Sequence, residues 1–177
     1  MLQLFINEKY LDNPSISKLS PLCKILYPTL IDTLNKFLYY SAKYLLIYTD
    51  SHFQNYIPMV LVIETDNGDI MGICELLYHP EKKLLEIYNV CVHPKERRKN
   101  YCKELMQYII NTVQSTLECD LWIAVATNNG MYDVATKIYQ DCGFTDDIQN
   151  KYWTPSGIIY EKGFLEMYRY FNRHVEE

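Results

Sequence analysis

The chain has 177 residues, a formal net charge of −5 and a pI near 5.4, with 49% apolar and 22% charged residues. That length suits one domain, and the apolar share supplies a core and argues against disorder. The acidic balance argues against general binding to nucleic acid or to an anionic membrane, and leans toward a cationic partner or substrate.

Taken in chain order, MLQLFI reads as a short first strand. It lacks the basic start and long apolar stretch of a signal peptide, and no run approaches the roughly 18 apolar residues that a membrane span needs. From Ser20, SPLCKILYPTLIDTLNKFLYYSAKY carries apolar residues at Leu22, Leu26, Leu30, Leu34 and Leu38, which is helical spacing. Pro28 falls inside that pattern and is expected to kink the helix or divide it in two. IPMVLVIET, IMGICELLYH and LLEIYNVCV then read as an antiparallel meander, with DNGD (Asp66 to Asp69) as a hairpin turn between the first two.

After Pro94 the period changes. Met106, Ile110, Val113 and Leu117 fall on one helical face, flanked by Leu105 and Ile109. LWIAVAT (Leu121 to Thr127) is a compact strand, and MYDVATKIYQDC is a second helix ending at Gly143. Strand candidates near NKYW and in FLEMYRYF close the chain. The order β, α, three hairpin-linked strands, α, β, α, β, β gives one mixed α/β domain over residues 1–177.

Six cysteines (Cys23, Cys74, Cys91, Cys102, Cys119, Cys142) form no CxxC pair or compact framework, which fits reduced thiols in the cytoplasm. Cys91 and His93 lack partners at ligand spacing, so no metal is expected. Five of the 17 Lys and Arg residues lie between Lys95 and Lys103. Such a run reads as a solvated surface, a nuclear-localisation signal, a nucleic-acid patch, or an anion site at a helix start.

The pattern V-x-P-x-x-R-x-x-N-x-C from Val92 to Cys102 resembles motif A of the GCN5-related N-acetyltransferase (GNAT) superfamily. There an Arg or Gln followed by xxGxG or xxGxA cradles the pyrophosphate of acetyl-CoA; here Arg97 leads, and Asn100 and Cys102 stand where glycines usually do. Ala135 to Phe144, A-x-x-x-Y-x-x-x-G-F, resembles motif B on the following helix. The resemblance implies the acyl-CoA N-acyltransferase fold, a central, mostly antiparallel sheet flanked by helices. Motif A spans about residues 84–117 and motif B about 128–144. It also implies an acetyl-CoA-dependent N-acetyltransferase acting on a primary amine, in a family where dimers are frequent. Departures from the motif A glycines leave open a degenerate module that binds acyl-CoA or a protein partner without turnover.

The resemblance assigns roles residue by residue. Glu86, eleven residues before Arg97, is the candidate general base, and Tyr139 the acid that protonates the departing thiolate. Backbone N–H groups of Val90, Cys91 and Val92 would bind the pantetheine arm, on a strand end that is splayed or bulged. Arg97, Arg98, Lys99, Asn100, Tyr101, Cys102 and Lys103 would hold the pyrophosphate, with Asn129 as a further contact. Glu86 also has a plainer reading, as a carboxylate at the solvent end of its hairpin beside Lys82 and Lys83. Tyr139 is one of 17 tyrosines, most of which are core or surface filling. Tyr88, Tyr152 and Trp153 are candidates for an acceptor pocket, with packing as the alternative.

Overall fold

A computed structural model describes residues 1–39, 45–46, 55–146 and 163–171. Its seven strands are β1 (Leu2–Ile6), β2 (Cys23–Ile25), β3 (Ile57–Glu64), β4 (Ile70–His79), β5 (Leu84–Val92), β6 (Asp120–Ala126) and β7 (Phe164–Arg169). They form a single sheet in the order β2-β1-β3-β4-β5-β6-β7. Pairs β1–β2 and β5–β6 are parallel and the other four antiparallel. This is the mixed α/β architecture expected from the order of elements.

Helix α1 (Pro28–Tyr39) covers one face of the sheet, and α2 (Tyr101–Tyr108) and α4 (Tyr132–Asp141) cover the other. A sheet covered on both faces must bury both sets of alternating side chains, which is why β3, IPMVLVIE, is apolar almost throughout. The α2 face packs Leu85 and Ile87 with Leu105, Met106, Ile109, Tyr139 and Phe144. The α1 face packs Val60, Val62 and Ile73 with Leu30, Leu34 and Leu38.

The helix expected from Ser20 is not continuous. Ser20–Leu22 is a 3-10 turn, Cys23–Ile25 is the short edge strand β2, and α1 begins at Pro28 itself. Proline suits the first helical position, while its ring bars Tyr27 from helical geometry, so the chain reaches it extended. Leu26 N–H instead bonds Ile6 C=O at 2.9 Å, and Leu22 and Tyr27 are each 50% exposed. Only Leu30, Leu34 and Leu38 of the apolar repeat form the expected helical face.

The helix after Pro94 also departs from regularity. A π-helical turn, Ile109–Gln114, joins α2 to the single turn α3 (Ser115–Leu117). The wider turn shifts the phase, so Ile109 and Val113 are buried while Ile110 is only half-buried. The strand expected near NKYW lies outside the described residues. No described helix is long and apolar enough to cross a membrane.

Candidate active site

β5 and β6 run side by side only from Leu84↔Asp120 to Ile87↔Ile123. Beyond that point β5 continues to Val92 and β6 to Ala126 without pairing, so the sheet opens between them. The opening coincides with a β-bulge. Asn89 and Val90 together face Cys74 on β4, since the register steps from Glu75↔Tyr88 to Ile73↔Cys91. Asn89 takes φ +49, a left-handed conformation that Asn tolerates better than most residues. An extra residue bends a strand and strengthens its twist, which turns Val90–Val92 away from β6.

Glu86 lies one residue before the opening. It is 0% exposed, and its neighbours fix the side it faces. Leu85 and Ile87 point to the α2 face, so Glu86 shares the opposite face with Leu84 and Tyr88. This excludes the solvent-end position beside Lys82 and Lys83; there the Lys82 N–H donates to Nδ1 of the buried His79 at 3.1 Å. Neither Glu86 carboxylate oxygen has a hydrogen-bond partner among the described residues. Burial pushes its pKa from 4.5 up to about 8, while the Tyr88 hydroxyl and the Lys82 ammonium pull weakly the other way. Desolvation is the largest of these influences. Glu86 in turn helps raise Tyr56, itself mainly desolvated, to about 12.

Past His93, a 3-10 turn (Pro94–Glu96) leads into the loop before α2. Arg98 and Asn100 both have φ +65, and Asn100 sits at the helix start with ψ 17. The first expected glycine position is therefore in glycine-like geometry, reached by the next most tolerant residue. No side chain caps α2, which leaves N–H donors and the positive end of the dipole at its mouth. Arg97 and Arg98 are exposed and enter no ion pair among the described residues. Lys99 is shared with Glu96 at 2.7 Å, which raises its pKa. Lys103 is exposed and Tyr101 half-buried at the first turn.

Cys102, in place of the second glycine, is half-buried within α2 rather than in the loop. Burial pushes its thiol up to about 11, against a pull from the Tyr139 hydroxyl, which donates toward it. Tyr139 of α4 is 5% exposed, with its ring 5.9 Å from Phe144. Burial first, then the neighbouring Cys102 and Cys74 thiols, hold its hydroxyl well above the ordinary phenol value. Tyr139 and Glu86 thus lie on opposite faces of the sheet.

The remaining candidates are less concentrated. Asn129 is exposed on the turn before α4, its Oδ1 accepting Met131 N–H at 2.9 Å. Cys91 is buried with Val60, Val62 and Ile73. Tyr88 packs against Trp122 with centroids 5.5 Å apart, whereas Tyr152 and Trp153 lie outside the described residues. Among the described residues no group of three His, Cys, Asp or Glu side chains is placed to hold a metal. A cleft of about 430 Å³ lies beside the loop, lined by residues that include Lys36, Phe37, His93 and Lys95. It contains neither Glu86 nor Tyr139.

Residues 57–146, more than half of the chain, match the family model described as an acetyltransferase (GNAT) domain. The chain belongs to the GNAT acetyltransferase family. As a member, it is an acetyl-CoA-dependent N-acetyltransferase. Its fold is similar to that of Tetrahymena GCN5, with a TM-score of 0.59 and 17% identity, covering 100% of this chain and 99% of that one. It is also similar to the ribosomal-protein-S18-alanine N-acetyltransferase of Escherichia coli, at TM-score 0.60 and 18% identity over 86% of this chain and 94% of the other. A spermidine N-acetyltransferase SpeG mutant from Vibrio cholerae aligns at 0.52 and 15% identity, over 96% and 94% of the two chains. No curated protein sequence matches the acetyltransferase. The left-handed loop, the uncapped helix start and the exposed Arg97 and Arg98 fit the diphosphate of a CoA thioester.

Sequence reasoning missed two residues of this region. Glu75 is a fully buried carboxylate in an apolar strand, and Asn89 forms the bulge. Both carry a signal in hindsight: a charge within IMGICELLYH, and an Asn, depleted in strands, inside LLEIYNVCV.

Proposed function

We propose that the protein moves the acetyl group of acetyl-CoA to a primary amine by direct attack, and that the acceptor is cationic: a polyamine, a lysine side chain or a basic peptide. The observation that carries this reading is the position of buried Glu86. It precedes the β5–β6 opening by one residue, on the strand that runs into the left-handed loop and the uncapped start of α2.

Acetyl-CoA supplies an acyl group already activated as a thioester. Glu86 takes the proton from the acceptor ammonium, which at a pKa near 10.4 for lysine is unreactive at neutral pH. A carboxyl titrating near 8 is better matched to that task than one at 4.5. The N–H groups of Val90 and Val92 donate to the pantetheine arm and to the thioester carbonyl oxygen, while Cys91 between them pairs with Ile73 of β4. Arg97, Arg98, Lys103 and the N–H groups from Asn100 through Tyr101 to Cys102 hold the pyrophosphate, with Lys99 weakened in this role by Glu96. Asn129 supports the arm from the turn before α4. The net charge of −5 favours a cationic acceptor.

Tyr139 gives its proton to the departing thiolate, and its raised pKa keeps that proton available at ordinary pH. Tyr139→Phe is expected to slow thiol release about 10- to 100-fold, while the ring keeps its packing on Phe144. The lost hydroxyl should change stability by only about 1 kcal/mol. An unaltered rate would return Tyr139 to a purely packing role.

The whole reading is tested by thermal unfolding with and without acetyl-CoA, then by thiol release with polyamines, lysine peptides and uncharged-tail amines. Stabilisation by acetyl-CoA and fastest release with polycations are expected. Stabilisation without release for any amine would indicate a binding module, and no stabilisation would sink the reading. Faster release with the uncharged-tail amines would overturn the cationic acceptor.

A further inference from the structure

Glu75 lies in the middle of β4 and is 0% exposed. A carboxylate there is strongly disfavoured unless it is hydrogen-bonded. Its Oε2 accepts from the Asn89 side-chain amide and, at 3.0 Å, from the backbone N–H of Leu46. The adjacent Leu45 N–H bonds Asn35 Oδ1 of α1 at 3.1 Å. Asn89 is the left-handed residue at which β5 gains a residue over β4. A single carboxylate therefore ties the bulge of β5 to the chain that follows α1.

We infer that Glu75 and Asn89 are a positioning pair, whose hydrogen bond holds the β5 bulge and so aims the Val90 and Val92 N–H groups at the thioester. This rests on the proposed role of Val90 and Val92. Left-handed backbone is unfavourable even for Asn, and a hydrogen bond to its side chain offsets part of that penalty. Neither residue needs to touch the substrate. Their effect passes through the direction of the strand, and reaction rates are sensitive to displacements of about 1 Å in such donors.

Asn89→Gly separates the two contributions, since glycine adopts positive φ freely but removes the amide. Acetyl-CoA affinity is measured directly by calorimetry on the wild type, Asn89→Gly and Glu75→Gln, beside unfolding midpoints without ligand and the kinetic constants for the fastest amine. Asn89→Gly is expected to bind acetyl-CoA about tenfold more weakly and to lower kcat, with an unfolding midpoint near wild type and an unchanged amine KM. Glu75→Gln should follow it in affinity; if that variant fails to fold, Asn89→Gly alone decides. Wild-type affinity and kcat in Asn89→Gly would overturn the inference, as would equal losses in the KM values for amine and acetyl-CoA. Failure of the wild type itself to bind acetyl-CoA is a different result, and would remove the proposed function instead.

Discussion

Glu86→Gln is expected to lower kcat by about 10²-fold or more and, at the same time, to make the protein more stable at alkaline pH. The first effect follows from losing a general base, typically 10²- to 10⁴-fold. The second follows from linkage. Folded Glu86 titrates near 8 and the unfolded side chain near 4.5, so between those values the folded state keeps a proton that the unfolded state has released. Wild-type stability therefore falls as pH rises through that window, by a total on the order of 3–5 kcal/mol, and the penalty is fully expressed above pH 8. A buried glutamine amide does not titrate, although without partners it costs about 1–3 kcal/mol of its own. The variant should thus melt above the wild type at pH 9 and at or below it at pH 5. For catalysis the sign reverses: wild-type kcat/KM should rise as Glu86 loses its proton near pH 8, and the variant should lack that limb. Melting curves and pH–rate profiles on both proteins test this. Wild-type turnover in the variant would acquit Glu86, and parallel melting curves across pH would mean that its carboxyl is not held neutral by burial.

Asn100→Val is expected to abolish tight acetyl-CoA binding, whereas Asn100→Gly should bind as well as the wild type or better. Asn100 has φ +65 and ψ 17 at the mouth of α2. A β-branched residue there faces a penalty of at least roughly 1–2 kcal/mol and is expected to escape by moving the loop. Movement would withdraw the helix N–H donors and redirect Arg97 and Arg98 together, so the loss in affinity should exceed about tenfold, or roughly 1.4 kcal/mol. Glycine occupies the same region freely. Thermal shift and calorimetry with acetyl-CoA measure both. Equal affinities in the two variants would show that the left-handed conformation of residue 100 does not govern the anion site.

The loop was the most legible part of the site. Pro94, the basic run and Asn100 carry local conformational preferences, and those preferences survive into the structure as a turn, exposed cations and a left-handed residue. The meander was equally legible, because Asp66–Asp69 is a turn by its own chemistry and the strands on either side are apolar. Glu86 was placed on the correct strand, yet its sequence neighbours Lys82 and Lys83 also allowed an exposed position. Burial is a property of what packs on the strand, and only the assembled sheet excludes the exposed alternative. Pro28 begins α1 rather than kinking or dividing a longer helix, for a related reason. Helical spacing extends across it, but the hydrogen bond from Leu26 to Ile6, 20 residues earlier, makes the preceding segment an edge strand.

Taken alone, the sequence determined the order of elements, the turn chemistry and the loop before α2, because each depends on interactions within a few residues. Tertiary structure alone decided where β5 leaves β6, how deeply Glu86 is buried, that Tyr139 faces Cys102, and that Glu75 holds Asn89 in the bulge. Those features depend on contacts distant in the chain, such as the 14 residues between Glu75 and Asn89 and the 36 between Glu86 and Trp122. Local preference is silent on such contacts, and desolvation, which sets the Glu86 pKa, exists only once the sheet has closed over it.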